Sequence, residues 1–459
     1  MKNTPKQVQY LILVFLAIVV YVCGALTIYN DSFIFPVISG VSLLLSLFIF
    51  GGKYRLYAIT FCVPISALMS IKNSGFGSFL TWNIIIYLLI LLVESILKRK
   101  INSAELVFII SYLVLVAYTL IIQICNLSPI TKFFSSAVYW ALPLSYVFED
   151  ENNKKIWPLI VVLSLSHICS NLFGCLFIYI LPNQAIPFLT RYVPSYIAQY
   201  EKFGSSIFRY PGFSGDPNHL GISVLFVSLI MLSYSLKTSK HIFYSIIASI
   251  ALQLFGFLGG SKTYILCFVF LIIFISIYLI RQTKQKLFYS FIIICCFFIG
   301  SLLILSIDSL SKTVARLIFF DDRQGFLEAI TTNRLSIWKN DISYLMGNPL
   351  KLLFGNGTWS PTIYGAAAHN FYIQIIWDLG LFGTILFFAF ITRFFSNKNN
   401  NYFLFGSTLL LFITYSFGLH VLYNESVLSC VGVSFCIYSF KKTTENNFTD
   451  DTNVCEISI

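Results

Sequence analysis

Apolar runs of ~18–22 residues, repeated along most of the chain, constrain this sequence more than any other feature. A backbone in hydrocarbon has no water to satisfy its polar groups, so such runs become helices. With 57% hydrophobic and 11% charged residues, against roughly 25% charged in a soluble domain, the chain reads as an all-α, polytopic integral membrane protein. The runs predict about 14 spans (12–14), at 9–28, 33–50, 56–71, 79–97, 104–125, 133–148, 157–181, 218–236, 242–258, 263–280, 287–306, 370–392, 401–419 and 426–440. With the N-terminus in the cytoplasm, every inner connection carries at least two basic residues, from Lys2 and Lys6 to Lys441 and Lys442. The short outer ones hold one or none: Lys72, Lys132 and Lys262. That asymmetry sets the orientation and makes both termini cytoplasmic.

Several function classes drop out. The basic residues are scattered between spans instead of gathered on one face, so nucleic acid is not an expected partner. Ten of the eleven cysteines lie in apolar runs, where a thiol packs as a small hydrophobe, and no CxxC pair suggests a metal or redox site. Asp321-Asp322 has no partner cluster for a metal, and no cofactor is expected. The basic start, Met1 to Gln9, leads into an apolar run without a small-residue cleavage site, which reads as a retained first helix. The chain is expected to be one membrane domain over 1–459. Its outer loops are 182–217 and a large cap at 308–369, and a polar cytoplasmic tail follows at 443–459.

The cap is the one long interruption in the apolar pattern. Six basic residues (Lys312, Arg316, Arg323, Arg334, Lys339, Lys351) sit there among five acidic ones (Asp308, Asp321, Asp322, Glu328, Asp341), with Trp338 and Trp359 arguing for folded structure. Leu327, Ile330, Trp338, Ile342 and Leu345 recur at helical spacing, predicting a surface helix over 326–346, apolar side down, that ends at Gly347-Asn348-Pro349. Arg334 lies four residues before Trp338, on nearly the same side.

Three outer connections each hand over to a helix running inward. Arg209-Tyr210-Pro211-Gly212-Phe213-Ser214-Gly215-Asp216-Pro217-Asn218 leads into one, with Asp216 as N-cap and Pro217 at the first helical position. Gly259-Gly260-Ser261-Lys262-Thr263 leads into the second, with Ser261 as cap, and Ala368-His369-Asn370 into the third. Helix N-termini present free N–H groups and partial positive charge. With Arg209, Lys262, His369 and Arg334 beside them, convergent ends would hold a strongly anionic group such as a diphosphate. Each residue also has a plainer role. Arg191 and Arg209 could touch lipid phosphates, Lys262 could snorkel from its turn, and Asp216 could cap and nothing more. His219 and His420 are further outer-face histidines, and His167 with Asn171 suggests hydrogen bonding between helices.

The string Arg209 to Asn218, the Ser261-Lys262 turn, Asn333-Arg334 with Trp338, Gly355-Asn356-Gly357, and His369-Asn370-Phe371-Tyr372 followed by Asp378-Leu379-Gly380-Leu381-Phe382-Gly383 resemble the O-antigen polymerase and ligase superfamily. Within it the chain is similar to Wzy-type polymerases, in motifs over its back half and in hydropathy over its front half. One departure is Ser261-Lys262, where the superfamily commonly has Ser-Arg; lysine keeps the charge and loses the two-pronged grip on phosphate.

The resemblance implies an inverting, metal-independent glycosyltransferase of the bacterial inner membrane. It would move a growing glycan from undecaprenyl diphosphate onto a lipid-linked repeat unit on the periplasmic side. Donor and acceptor lipids, and a chain-length regulator protein, are the implied partners. Arg191, Arg209, Lys262, Arg334, Asn218 and Asn370 would bind the diphosphate, and Tyr210, Trp338 and Tyr372 the sugars. His369 is the expected general base, with Asp216 as the other candidate and Arg334 stabilising the leaving group. Two alternatives stay open: a ligase that moves finished polymer to lipid A core, and, in a different class, a flippase for lipid-linked oligosaccharides.

Overall fold

The computed structural model describes residues 6–30, 32–70, 78–97, 103–150, 156–192, 210–214, 216–238, 240–282, 334–363, 368–395, 402–416 and 424–439. The predicted span at 287–306, all of the cap before Arg334, Arg209, Tyr364, His420 and the tail fall outside the described residues.

The described residues are almost wholly helical. In order they form α1 (Lys6–Asn30), α2 (Ile34–Ile49), α3 (Lys53–Cys62) with a 3-10 turn (Val63–Met69), α4 (Phe79–Leu97), α5 (Ser103–Cys125), α6 (Ile130–Asp150), α7 (Trp157–Ile180) and α8 (Pro182–Tyr192). A short 3-10 turn (Gly212–Ser214) precedes α9 (Pro217–Thr238), α10 (Ile242–Leu258) and α11 (Lys262–Gln282). Then come α12 (Leu335–Gly347), α13 (Pro349–Phe354), α14 (Phe371–Thr392), α15 (Tyr402–Ser416) and α16 (Glu425–Ser439). Six helices, α1, α4, α5, α7, α9 and α14, are long and apolar enough to cross a membrane, and five shorter ones, α2, α10, α11, α15 and α16, carry apolar stretches. The protein is thus an all-α, integral membrane protein.

Two expectations change. The run predicted to span 56–71 breaks after Cys62, because Pro64 follows and removes a helical N–H; the chain continues as the 3-10 turn. In the cap, the helix occupies 335–347 and ends, as expected, at Gly347-Asn348-Pro349. Its inward face differs from the expected stripe. Asp341 and Leu345 are buried while Ile342 is 49% exposed, so the helix is rolled to bring Trp338, Asp341 and Leu345 under it.

At the centre stands α9, with 83% of its apolar window buried against 28–50% for the other long helices. It packs against α7, α10, α11, α15 and α16. Its serines make this burial possible: Ser223 and Ser228 donate to carbonyls one turn back, at 2.8 Å each, and Ser235 pairs with Ser245 of α10 at 2.6 Å. Small side chains that satisfy themselves let helices approach closely where no hydrophobic effect draws them together.

The second pillar, α14, is broken. Gly380 sits at φ +65°, and the helix changes direction there. Its partner is Gly355, at φ +85°. A Cβ on Gly355 would come within 2.6 Å of the Gly380 nitrogen, and one on Gly380 within 2.5 Å of the Phe354 carbonyl carbon. Only glycine tolerates both the torsion and the contact. The carbonyls freed by the break are all used. Asn356 N–H donates to Trp377 at 2.9 Å, Gly357 N–H to Asp378 at 2.9 Å, and the Tyr118 hydroxyl to Leu379 at 2.8 Å. The Gly355-Asn356-Gly357 turn is therefore a clasp that closes the wound in a membrane helix. From its other side the turn docks on α5 and the loop after it. Gln123 Oε1 accepts from Thr358 N–H at 2.8 Å, Ser128 Oγ donates to the Asn356 carbonyl at 3.1 Å, and Lys351 reaches Asn126.

Candidate functional site

Helix starts gather at the end of the bundle where α9, α11, α14 and α16 begin. Asp216 caps α9 as expected, its Oδ1 accepting from Asn218 N–H at 2.6 Å. Ser261 caps α11, accepting from Tyr264 N–H at 3.2 Å, and its hydroxyl donates to Asn218 Oδ1, which ties the two starts together. Asn370 caps α14, accepting from Tyr372 N–H at 2.9 Å and Ile373 N–H at 3.2 Å. A fourth start, not foreseen, is capped by Asn424, which accepts from Val427 N–H at 2.9 Å. Four helix dipoles thus point their positive ends into one region.

Charged and titratable groups crowd the same region. His369 lies within electrostatic reach of Arg334, Asp216 and His219. Burial pushes its imidazole down to about 4; Arg334 and His219 add to this, and Asp216 opposes it. The ring is therefore neutral near pH 7. Its Nδ1 is buried and has no hydrogen-bond partner among the described residues. Burial also lowers Arg334 from the usual guanidinium range, and Asp216 partly restores it; the group stays cationic at neutral pH. Lys262, half-buried, opens α11 directly beside the Ser261–Asn218 bond.

Other expected residues hold the site from behind. Tyr210 is 2% exposed, and its hydroxyl donates to the Asn171 carbonyl at 3.0 Å. It cannot stack on a sugar, because ring and hydroxyl are both spent in packing α9's leader against α7. Asn218, with its oxygen held by Ser261, serves the junction of α9 and α11. Trp338 donates its indole N–H to the Ala368 carbonyl at 2.8 Å, fixing the cap helix to the residue before His369. Tyr372 is half-buried with an edge contact to Phe371. Arg191 ends α8, and its side chain lies outside the described atoms, as does Arg209. His167 and Asn171 do not bridge helices with their side chains: the His167 ring meets Leu163 O at 2.9 Å, and Asn171 donates to His167 O at 2.7 Å, both within α7.

Sequence reasoning missed Glu425. Its carboxylate accepts from Ser66 at 3.2 Å, lies against the Tyr139 hydroxyl and acts electrostatically on His219. The only sign of it was an acidic residue opening a short apolar run. Gln374 and Asp378 were also missed as a pair. They are four residues apart on α14, 2% and 0% exposed, and bonded Nε2 to Oδ1 at 2.9 Å.

A bundle of apolar helices with cations, capped helix starts and a neutral imidazole at one end makes this an integral membrane protein with a polar candidate site. Residues 245–388 match the family model described as O-antigen ligase, which is consistent with a member of the O-antigen polymerase and ligase superfamily. The matched segment runs from α10 into α14 and so contains Lys262, Arg334, His369, Asn370, Gln374, Asp378 and both clasp glycines. No curated protein matches the chain.

Proposed function

We infer that the protein is a glycosyltransferase of the O-antigen polymerase type. It would take a glycan from a polyprenyl diphosphate carrier and join it to a lipid-linked repeat unit on the periplasmic side of the inner membrane. The observation that carries this reading is the neutral, half-buried His369 set beside the Arg334 cation at the mouth of four helix N-termini. An acceptor hydroxyl loses its proton as it attacks the anomeric carbon, and the bond to the diphosphate breaks with the electron pair going to phosphate oxygen. A neutral imidazole can take that proton. Arg334, Lys262 and the free N–H groups stabilise the departing diphosphate, the electrostatic contribution being the largest in most such steps. Asp216 raises the basicity of both Arg334 and His369, opposing the effect of burial. Arg191 and Arg209 precede the same helix start in sequence and are proposed to extend the cationic surface toward the lipid.

The matched family's own description, O-antigen ligase, favours a second reading: the same donor site serving transfer to lipid A core. Cell envelopes decide between them. A strain that lacks its own copy of this protein and carries His369→Ala keeps core with a single repeat unit if the protein is a polymerase, and core with none if it is a ligase. Normal long-chain polymer with His369→Ala at wild-type protein level removes His369 from the chemistry. A flippase is not supported, because the family match gives it no footing.

A further inference from the structure

The backbone of His369 is in a conformation its side chain does not choose. Its φ is +52°, in the left-handed region, which costs a non-glycine residue on the order of 1 kcal/mol or more. Something must hold it there, and the bonds on either side show what does. Ala368, fully buried, has both backbone groups engaged: its N–H donates to Gln374 Oε1 at 2.8 Å, and its carbonyl accepts from Trp338 Nε1 at 2.8 Å. Asn370, on the other side, is locked as the N-cap of α14, and its carbonyl accepts from Gln374 N–H at 2.9 Å. Gln374 thus grips the chain before His369 with its side chain and the chain after it with its backbone.

The orientation of the Gln374 amide is itself fixed. Its Nε2 donates to Asp378 Oδ1 at 2.9 Å, so Oε1 must face Ala368. Asp378 accepts with Oδ2 from Trp359 N–H at 3.3 Å, and its carbonyl receives Gly357 N–H at the clasp. A carboxylate accepts only, so it leaves the amide one way to point. In this way the break in α14, the clasp of the cap and the strained histidine are links of one buried chain of hydrogen bonds.

We propose that Gln374 and Asp378 are positioning residues, whose hydrogen bonds through Ala368 hold His369 in its strained, half-buried orientation toward Arg334 and Asp216. The proposal rests on the reading of His369 as the proton acceptor, and the test separates the two. Full-length protein in lipid nanodiscs is treated with diethyl pyrocarbonate, which modifies neutral imidazole, and the peptide bearing His369 is followed by mass spectrometry against pH. In the wild type the reaction falls off at an acid midpoint of about 4. In Gln374→Ala the midpoint climbs toward the ordinary imidazole value of ~6.5. Transfer in that variant falls about a hundredfold in kcat, with KM for the lipid-linked donor within about twofold. Asp378→Asn keeps one oxygen for Gln374 but sets an N–H group against Trp359 N–H and lets the Gln374 amide turn over, so its midpoint and kcat move in the same direction as in Gln374→Ala, by less. An unmoved midpoint in Gln374→Ala, or a loss carried by KM, overturns the proposal. Normal transfer in His369→Ala would sink the proton-acceptor reading alone, since the midpoint shift still reports whether Gln374 holds the ring.

Discussion

The two ends of the helix bundle treat charge in opposite ways. Where α3 begins and α4 ends, Arg55 is bonded to Glu94 at 2.7 Å and to the Leu47 carbonyl at 2.7 Å. Where α9 ends and α10 begins, Lys237 reaches the Ile437 carbonyl at 3.2 Å, and His241 stacks on Trp157 at 4.1 Å. Arg55, Lys237 and His241 each have a settled partner there. At the other end, Arg334, His219 and His369 crowd together with the Asp216 carboxylate and four helix N-termini, and the field is positive enough to help keep His369 unprotonated. Paired charge is what a bundle needs to sit at a membrane boundary. At this end Arg334, Asp216 and two imidazoles share one cluster at helix starts, whereas the opposite end settles its charges one by one, and that contrast marks the candidate site.

The sharpest way to break this comparison is to exchange the fates of its two ends. Arg334→Ala should cost at least about a hundredfold in transfer, the scale of a lost transition-state donor, while leaving the melting temperature nearly unchanged. Arg55→Ala should do the reverse: transfer per folded molecule is kept, and stability falls by about 1–3 kcal/mol as Glu94 and Leu47 lose their donor. Loss of transfer without loss of stability in Arg55→Ala would erase the distinction.

The next effect falls on the clasp. Gly380→Ala and Gly355→Ala each put a Cβ against backbone that cannot move away. Both should destabilise by about 2 kcal/mol or more, with protease cutting between residues 349 and 363 appearing first. A protected clasp in both variants would mean that the cap is held by α5 and its turn alone.

Two pH effects are smaller. Because His369 is held below its ordinary value, its neutral form persists through neutral pH, and the acid limb of kcat/KM should fall near 4 instead of near 6.5. Asp341 shows the opposite sign. Burial pushes its carboxyl up to about 6, a backbone contact at Ile363 partly opposing, and neither oxygen makes a well-formed hydrogen bond among the described residues. A raised carboxyl stabilises the fold below its unfolded value of 3.8, and that contribution is lost as pH rises through about 6. Hydrogen-exchange protection over residues 335–347, taken relative to the intrinsic rate at each pH, should therefore be higher at pH 5 than at pH 7.5. Asp341→Asn should flatten that difference, and an unchanged pH dependence in the variant would assign it elsewhere.

Much of this was legible in the sequence, because the bilayer leaves few choices. Helix positions followed from apolar run length, and the caps Asp216 and Ser261 from the preferences of helix starts, since both signals are local. The nearness of Arg334, His369 and Asp216 stayed open, because a shared side for three helix starts does not by itself make them converge. What escaped was set by tertiary contact. Nothing local distinguishes Tyr210, buried under α7, from a tyrosine open to a sugar. Gly380 looks like any small residue in a membrane helix until Gly355 is seen against it. Gln374 and Asp378 read as polar residues in an apolar run, and their meaning depends on Ala368 folding back over them. Ile342 was expected inside because periodicity counts apolar residues and does not know that Asp341 will take the buried side.

The most direct measurement is to map where the carrier lipid binds. A photoreactive polyprenyl diphosphate saccharide, irradiated with the full-length protein in nanodiscs, should label peptides carrying Lys262, Arg334 and the 210–219 segment. Arg334→Ala should weaken that labelling, and excess unlabelled polyprenyl diphosphate should compete better than the monophosphate. Labelling confined to the opposite end, around Arg55 and Lys237, or indifferent to the second phosphate, would contradict the account.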